Sequence, residues 1–353
     1  MSAVAAFEVK GWCPGALRPM ESGDGLLVRI KPWCGAFTLA QAAGLADIAA
    51  RLGNGHIDLT RRANLQIRGL REDALPELHR ALNGLGLLDA DAATEAARNV
   101  MVGPLADVTV RVLAKALTQA IVADPRLATL PAKFGWLVDG GGPLSIVCER
   151  ADVALAVTAE GIALRAAGTW RGVATPDRAV KAAIALTLGE RPLLAAMNVV
   201  PAGGVRKLGI QSGFCGIGVP FGRLEAAQLA ALSKIAGASE IRLSPWRALY
   251  IDAPVPDVAA LGLIVDESDP LLRIEACPGA PACKSSSVDT RHDARRLAAR
   301  GFDGTIHVSG CAKGCARSTA ADLTLIGEGG RYGVVHNGTT RGAIERIVEA
   351  DAL

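Results

Sequence analysis

The sequence predicts a mixed α+β chain, internally duplicated, with a four-cysteine metal site in its second half. Three observations carry that expectation. Elements between residues 38 and 82 run helix, strand, strand, helix, an order that belongs to an α+β unit and not to a doubly wound one. The order recurs in the second half, where residues 241–251 align without a gap on residues 57–67 and Ser244 meets Thr60; such self-similarity marks a duplicated unit. Finally, Cys277, Cys283, Cys311 and Cys315 form the pairs C-x5-C and C-x3-C.

Each element has a local reason. Residues 39–53 carry apolar side chains at helical spacing, with Thr38 as a cap and Gly53 as a stop, so a helix is expected there. Residues 56–60 and 64–68 alternate as strands do, and residues 71–82 return to helical spacing. In the second half residues 224–237 read as a helix, and 240–244 and 248–251 as a strand pair. A weaker correspondence sets the segment 98–104 against 276–279, and 130–134 followed by a strand-like 144–147 against 307–311 followed by 323–326. Residues 175–188 and 340–353 read as helices, and the Pro-Ala-Gly-Gly segment at 201–204 as the boundary between halves. The units expected are 1–90, 91–200, 201–265 and 266–353.

Composition bounds the rest. A chain of 353 residues, half of them hydrophobic, holds about two or three domain-sized units. A net charge of +3 excludes a strongly basic nucleic-acid binder and leaves room for a local basic cleft. Residues 1–8 lack a basic leader before an apolar run, and no stretch reaches membrane-spanning length; a cytoplasmic protein is expected. Its eight cysteines then read as metal ligands and buried thiols, not as a disulfide framework. Cys148 reads as a small buried hydrophobe, and Cys13, Cys34 and Cys215 have no assigned role.

Four thiolates from two loops suit a [4Fe-4S] cluster, one for each iron. Zinc is the competitor, but it favours the tighter C-x2-C and C-x4-C knuckles, and Pro278-Gly279 and Lys313-Gly314 lie inside these loops. Gly279, Gly310 and Gly314 allow the main chain to aim N–H groups at sulfur, and Lys284 and Lys313 add positive charge.

The cysteine spacing resembles that of the sirohaem-type sulfite and nitrite reductase superfamily. Within it, Cys13-Pro14-Gly15, Pro19-Met20, residues 23–29 and Leu243-Ser244-Pro245-Trp246-Arg247 are similar to the precorrin-3B synthases of aerobic cobalamin synthesis. The resemblance covers nearly the whole chain. It implies a nitrite/sulfite reductase-like fold, with duplicated ferredoxin-like half-domains plus [4Fe-4S]-binding α/β domains. It also implies an oxidoreductase that hydroxylates precorrin-3A with O2 to precorrin-3B, forming a lactone from a neighbouring acetate.

A tetrapyrrole fringed with acetate and propionate groups needs arginine and lysine around it, arginine best because its planar fork meets a carboxylate twice. Lys31, Arg61, Arg62, Arg68, Arg98, Lys133 and Arg247 are available, most of them beside repeat-equivalent turns. The superfamily's Thr-x-Arg-Gln-x-x-Gln element is matched by Thr60, Arg62, Asn64 and Gln66, but Ala63 stands where the glutamine would be. Of its anion cage, Arg98 and Lys133 match one arginine and one lysine; Gly135 occupies the second lysine position, and Lys31 replaces the other arginine. A small dianion in a dry pocket depends on several converging charges, so the site looks degraded for sulfite or nitrite yet serviceable for a large polycarboxylate. The tetrapyrrole is then substrate, and sirohaem is expected only under the alternative of a sulfite or nitrite reductase. A third possibility, a non-catalytic iron–sulfur electron carrier, does not need so large a duplicated chain.

The family is associated with a mononuclear non-haem iron. No histidine pair here has facial-triad spacing with a carboxylate, so His56, His292, His307 and His336 are candidates only by elimination, and the catalytic residues are unassigned. G-x-G-x-x-G is absent, so NAD(P)H is expected to act through a separate reductase as electron donor. Neither nucleic acid nor membrane is an expected partner.

Overall fold

The structure, a computed structural model, describes residues 12–255 and 257–353; the leader reading of residues 1–8 lies outside them. Four five-stranded sheets organise these residues. The first runs Met20–Ser22, Gly25–Ile30, Leu65–Leu70, His56–Leu59 and Arg223–Glu225, all antiparallel. The second repeats it with Gly209–Gln211, Phe214–Gly218, Ala248–Ile251, Glu240–Leu243 and Ala36–Thr38. Each half therefore lends its third strand to the other half's sheet, and the helices Leu39–Leu52 and Ala226–Leu232 pack together behind them.

The duplication extends to single atoms. The pairs Ile57 with Ile67 and Ile241 with Ile251 hold the same register. Thr60 Oγ1 accepts the Asn64 N–H at 3.1 Å, and Ser244 Oγ accepts the Ala248 N–H at 3.4 Å. Ala63 and Arg247, equivalent positions, both adopt left-handed backbone (φ 51° and 55°), which costs energy in a non-glycine residue and persists only where the turn imposes it. Both leading helices carry a capping box, Thr38 with Gln41 and Glu225 with Gln228.

The other two sheets form a second matched pair. Val100–Val102, Trp136–Asp139 and Val153–Thr158 are parallel, followed by antiparallel Gly161–Ala166 and Thr169–Ala174. Ile274–Ala276, Ile306–Ser309 and Ala321–Glu328 are parallel, followed by antiparallel Arg331–Gly338 and Arg346–Glu349. This order corrects two expectations. Residues 144–147 are not a strand but a turn held by Asp139, and the counterpart of Ala321–Glu328 is Val153–Thr158. Residues 340–353 are not a helix, because residues 346–349 pair with the strand before them. The helix expected at 224–237 is shortened to Ala226–Leu232, while that at 175–188 forms as Pro176–Thr187.

Strand alternation gives the first sheet one apolar and one charged face. Val28, Ile67, Ile57 and Leu224 pair across it and point into the main core, each worth about 1.5–3 kcal/mol when fully buried. The next row, Arg29, Gln66, Asp58 and Arg223, faces the opposite way. That charged face meets the cysteine-bearing unit.

Candidate active site and cluster loops

Cys277 follows directly on Ile274–Ala276, and Gly310 with Cys311 on Ile306–Ser309. Both loops leave the carboxyl ends of parallel strands, where ligand loops of such sheets gather. The Gly310 N–H donates to Cys277 Sγ at 3.1 Å, as a cluster-binding glycine should; Gly279 and Gly314 take left-handed turns. Burial raises the Cys311 thiol, the Lys313 N–H opposes it, and Cys283 and Cys277 raise it further. Cys315 lies in the field of Lys313 and the other three thiols. Among the described residues no three His, Cys, Asp or Glu side chains close on a single metal ion. Two adjacent loops that supply four thiols are the donor set a [4Fe-4S] cluster takes, one for each iron. The donor set suits the cluster.

The first repeat has no such loop. Its ladder puts Gly103 at the position of Cys277 and Asp139 at that of Ser309. The buried Asp139 carboxylate accepts from Gly141 N, Ser145 Oγ and Ile146 N at 2.7, 2.8 and 2.9 Å, so this loop is closed on itself.

A cleft of about 290 Å³, open to solvent, lies between the segment 12–18, the first sheet, the helix Ala92–Ala97 and the loop at 132–133. Arg18, Arg29, Lys31, Arg62 and Lys133 line it, with Asn99 and Cys13. Among the described residues its one lining carboxylate is Glu95, which accepts from the Ala16 and Leu17 N–H groups at 2.6 and 3.1 Å. Lys31 Nζ donates to the Glu95 carbonyl at 2.6 Å; burial, then Arg98 and Arg29, bring its pKa down to about 8. Arg62 Nη2 donates to the Lys133 carbonyl at 2.9 Å. Among the described residues the buried Nε of Arg29 has no hydrogen-bond partner.

Lys31, Arg62 and Lys133 line the same cleft; the other candidates divide. Arg98 does not line this cleft: buried, it makes paired hydrogen bonds of 2.9 and 2.8 Å to Asp89 and stacks on Trp33, because a buried carboxylate must be matched. Asn64 borders a smaller recess near Arg98, and Gln66 sits in the row between Arg29 and Asp58. Arg61 and Arg247 belong to the cluster side. Arg61 pairs with Glu275, two residues before Cys277, and Arg247 is half-buried beside Glu275, Arg61, Asp58 and Cys277. Arg18 and Arg29 were missed, although Arg29 is two residues before Lys31 on an alternating strand and so shares its face.

The histidines do not assemble an iron site. His56 pairs with Glu225 and His336 with Glu345, and His292 is exposed on the helix Thr290–Ala299. His307 is fully buried and, among the described residues, has no hydrogen-bond partner for either nitrogen; burial, then Arg317, Arg61 and Arg247, push its pKa down to about 4. The described residues therefore do not fit a two-histidine mononuclear iron.

Between cleft and cluster loops lies a buried ionic network. Asp58 receives Arg223 at 3.0 Å and Arg291 at 3.1 Å, with Arg68 at 3.8 Å. Burial alone would raise this carboxyl, but Arg291, then Arg223 and Arg68, hold it well below the usual carboxylate range. Such a network joins three parts of the chain, and removing one member leaves the others uncompensated.

Comparisons with known proteins agree with this architecture. Residues 18–85 match the family model of the nitrite/sulfite reductase ferredoxin-like half domain. A precorrin-3B synthase of Sinorhizobium sp is 32% identical, the match covering 94% of this chain and 84% of that protein. A ferredoxin–nitrite reductase of Synechococcus elongatus is 24% identical over 88% of this chain and 77% of its own. The solved structure of the Mycobacterium tuberculosis NirA protein superposes with a TM-score of 0.71, at 21% identity, covering 93% of this chain and 78% of that one, a likeness of fold. The chain is an oxidoreductase with a nitrite/sulfite reductase-like α+β fold, and it belongs to the precorrin-3B synthase family.

Proposed function

We propose that this chain hydroxylates precorrin-3A to precorrin-3B, with lactone formation, using O2 in aerobic cobalamin synthesis. The observation that carries this reading is a cleft that, among the described residues, is lined by five cationic side chains and one carboxylate, Glu95, which accepts main-chain N–H groups. A cluster of cationic groups favours an anionic ligand, and the spread of these five suits the several carboxylates of a tetrapyrrole better than one small oxyanion. Arg62, Arg29, Arg18, Lys31 and Lys133 would bind and orient the substrate's rim. Arg61 pairs with Glu275, and Arg247 lies beside it at the start of the cysteine loop, on the other side of the same hairpins.

Cys277, Cys283, Cys311 and Cys315 would hold a [4Fe-4S] cluster, which when bound supplies electrons one at a time. A separate NAD(P)H-dependent reductase in the cytoplasm would be the donor; no helix among the described residues is long and apolar enough to cross a membrane. The units 1–90, 91–200, 201–265 and 266–353 are the proposed domains. The sirohaem reductase alternative is disfavoured at Gly135, where the space for a second cage lysine is taken by the guanidinium of Arg62.

The test is anaerobic incubation with precorrin-3A, followed by O2 and reductant, with mass analysis of the pigment. A product one oxygen atom heavier, labelled when 18O2 is supplied, is expected. Reduction of sulfite or nitrite with the pigment unchanged would overturn the reading.

A further inference from the structure

The carbonyl of Ala282, whose carbon is bonded to the Cys283 nitrogen, is held by three donors from the first half of the chain. Arg68 Nη2 donates at 2.8 Å, Ser22 Oγ at 3.0 Å and the Gly23 N–H at 3.2 Å. One or two donors satisfy most carbonyls, so this peptide is pinned and polarised. The fit at Gly23 is close: a Cβ there would stand 2.7 Å from the Pro281 oxygen and 2.9 Å from the Cys283 nitrogen. Arg68 itself is locked. It is 4% exposed, makes paired bonds of 2.9 Å to Asp24, donates to Ser22 Oγ at 2.6 Å, and lies 3.8 Å from Asp58.

We infer that Arg68, through the Ala282 carbonyl, is a positioning residue that fixes Cys283 and sets the cluster's reduction potential from the substrate-binding half. The inference rests on the [4Fe-4S] reading above. Two physical effects act in one direction. Polarising the Ala282–Cys283 peptide strengthens its N–H as a donor in the cysteine loop, and hydrogen bonds around cluster sulfur raise the potential. The buried network of Arg68, Arg223 and Arg291 against Asp24 and Asp58 carries three positive and two negative charges, and net positive charge beside the cluster favours its reduced form. The same sheet face carries Arg29, which lines the cleft, so one surface aligns substrate and cysteine loop.

The experiment uses the full chain, purified anaerobically, as wild type, Arg68→Lys, Arg68→Met and Ser22→Ala. Iron and sulfide content of the wild type comes first; their absence there would sink the cluster reading itself and not the positioning of Cys283 alone. With cluster present, an EPR-monitored redox titration reads the potential. The expected order is wild type highest, Ser22→Ala and Arg68→Lys lower, Arg68→Met lowest, with altered EPR line shape in Arg68→Met. If Arg68→Met fails to fold, Ser22→Ala, which removes one donor and no charge, carries the test. Potentials and line shapes equal to wild type in the folded, cluster-loaded variants would overturn the inference, because a merely structural arginine would leave them unmoved.

Discussion

A single methyl group at position 135 probes the cleft without removing any functional group. Gly135 lies against Arg62: a Cβ there would overlap Arg62 Nη1 and stand 3.3 Å from both Arg62 Cζ and Asn99 Nδ2. Carbon contacts settle near 3.5–4.0 Å, so in Gly135→Ala the guanidinium must swing away and give up its bond to the Lys133 carbonyl. Gly135 is buried, but the displaced atoms are the far end of a flexible side chain, so the loss of folding stability should stay at or below the low end of the about 1–3 kcal/mol typical of overpacking. Binding should suffer more: a charge-assisted hydrogen bond is worth about 1.5–3 kcal/mol, or roughly a 10- to 150-fold weaker affinity at 1.4 kcal/mol per decade. Anaerobic absorbance titration with precorrin-3A measures it, alongside Arg62→Ala and the double variant. The substitution acts through Arg62, so the double variant should bind no worse than Arg62→Ala. Additive losses, or an unaltered affinity in Gly135→Ala, would refute the reasoning.

Three further outcomes are expected. Cys283→Ser should lose iron and sulfide and unfold at lower urea, because ligand binding is also folding energy; wild-type metal content would contradict the ligand assignment. Asp58→Asn leaves Arg223, Arg291 and Arg68 facing one another, so chemical denaturation should show a loss of about 3–5 kcal/mol, and a loss near zero would remove the network from the fold's support. Lys31, whose pKa lies near 8, should make affinity for a polycarboxylate fall as pH rises through about 8, a step absent from Lys31→Met; a flat profile in the wild type would count against it. The linkage sign runs the other way for stability. The unfolded chain keeps this proton up to the ordinary lysine value, so the ligand-free protein gains stability between about 8 and 10.5.

What was legible in the sequence was periodic or punctuated. The capped helix at Leu39–Leu52 and the strand pair at Ala248–Ile251 stand where spacing put them, and the Thr60 to Ser244 match reaches the hydroxyl that braces each turn. The cysteines announced themselves by spacing. The exchange of Ala36–Thr38 and Arg223–Glu225 between halves was not legible, because a three-residue strand carries no signal of its partner. Arg98 could be recognised by its motif, but Asp89, which claims it, lies in an aperiodic loop. Residues 12–18 reach the cleft through main-chain bonds to Glu95 and His79, and no side-chain pattern encodes such bonds. Residues 346–349 read as helical in isolation, but the open edge of the strand before them offers the hydrogen bonds that decide the matter.

The central claim is that four thiolates hold an iron–sulfur cube against a cleft for a carboxylate-fringed substrate. Metal and sulfide analysis with a visible spectrum, on protein purified without oxygen, tests it most directly. The expected result is iron and acid-labile sulfide in equal amounts, with a broad brown shoulder and no haem bands. Zinc in place of iron, or the strong bands of a bound sirohaem, would contradict it.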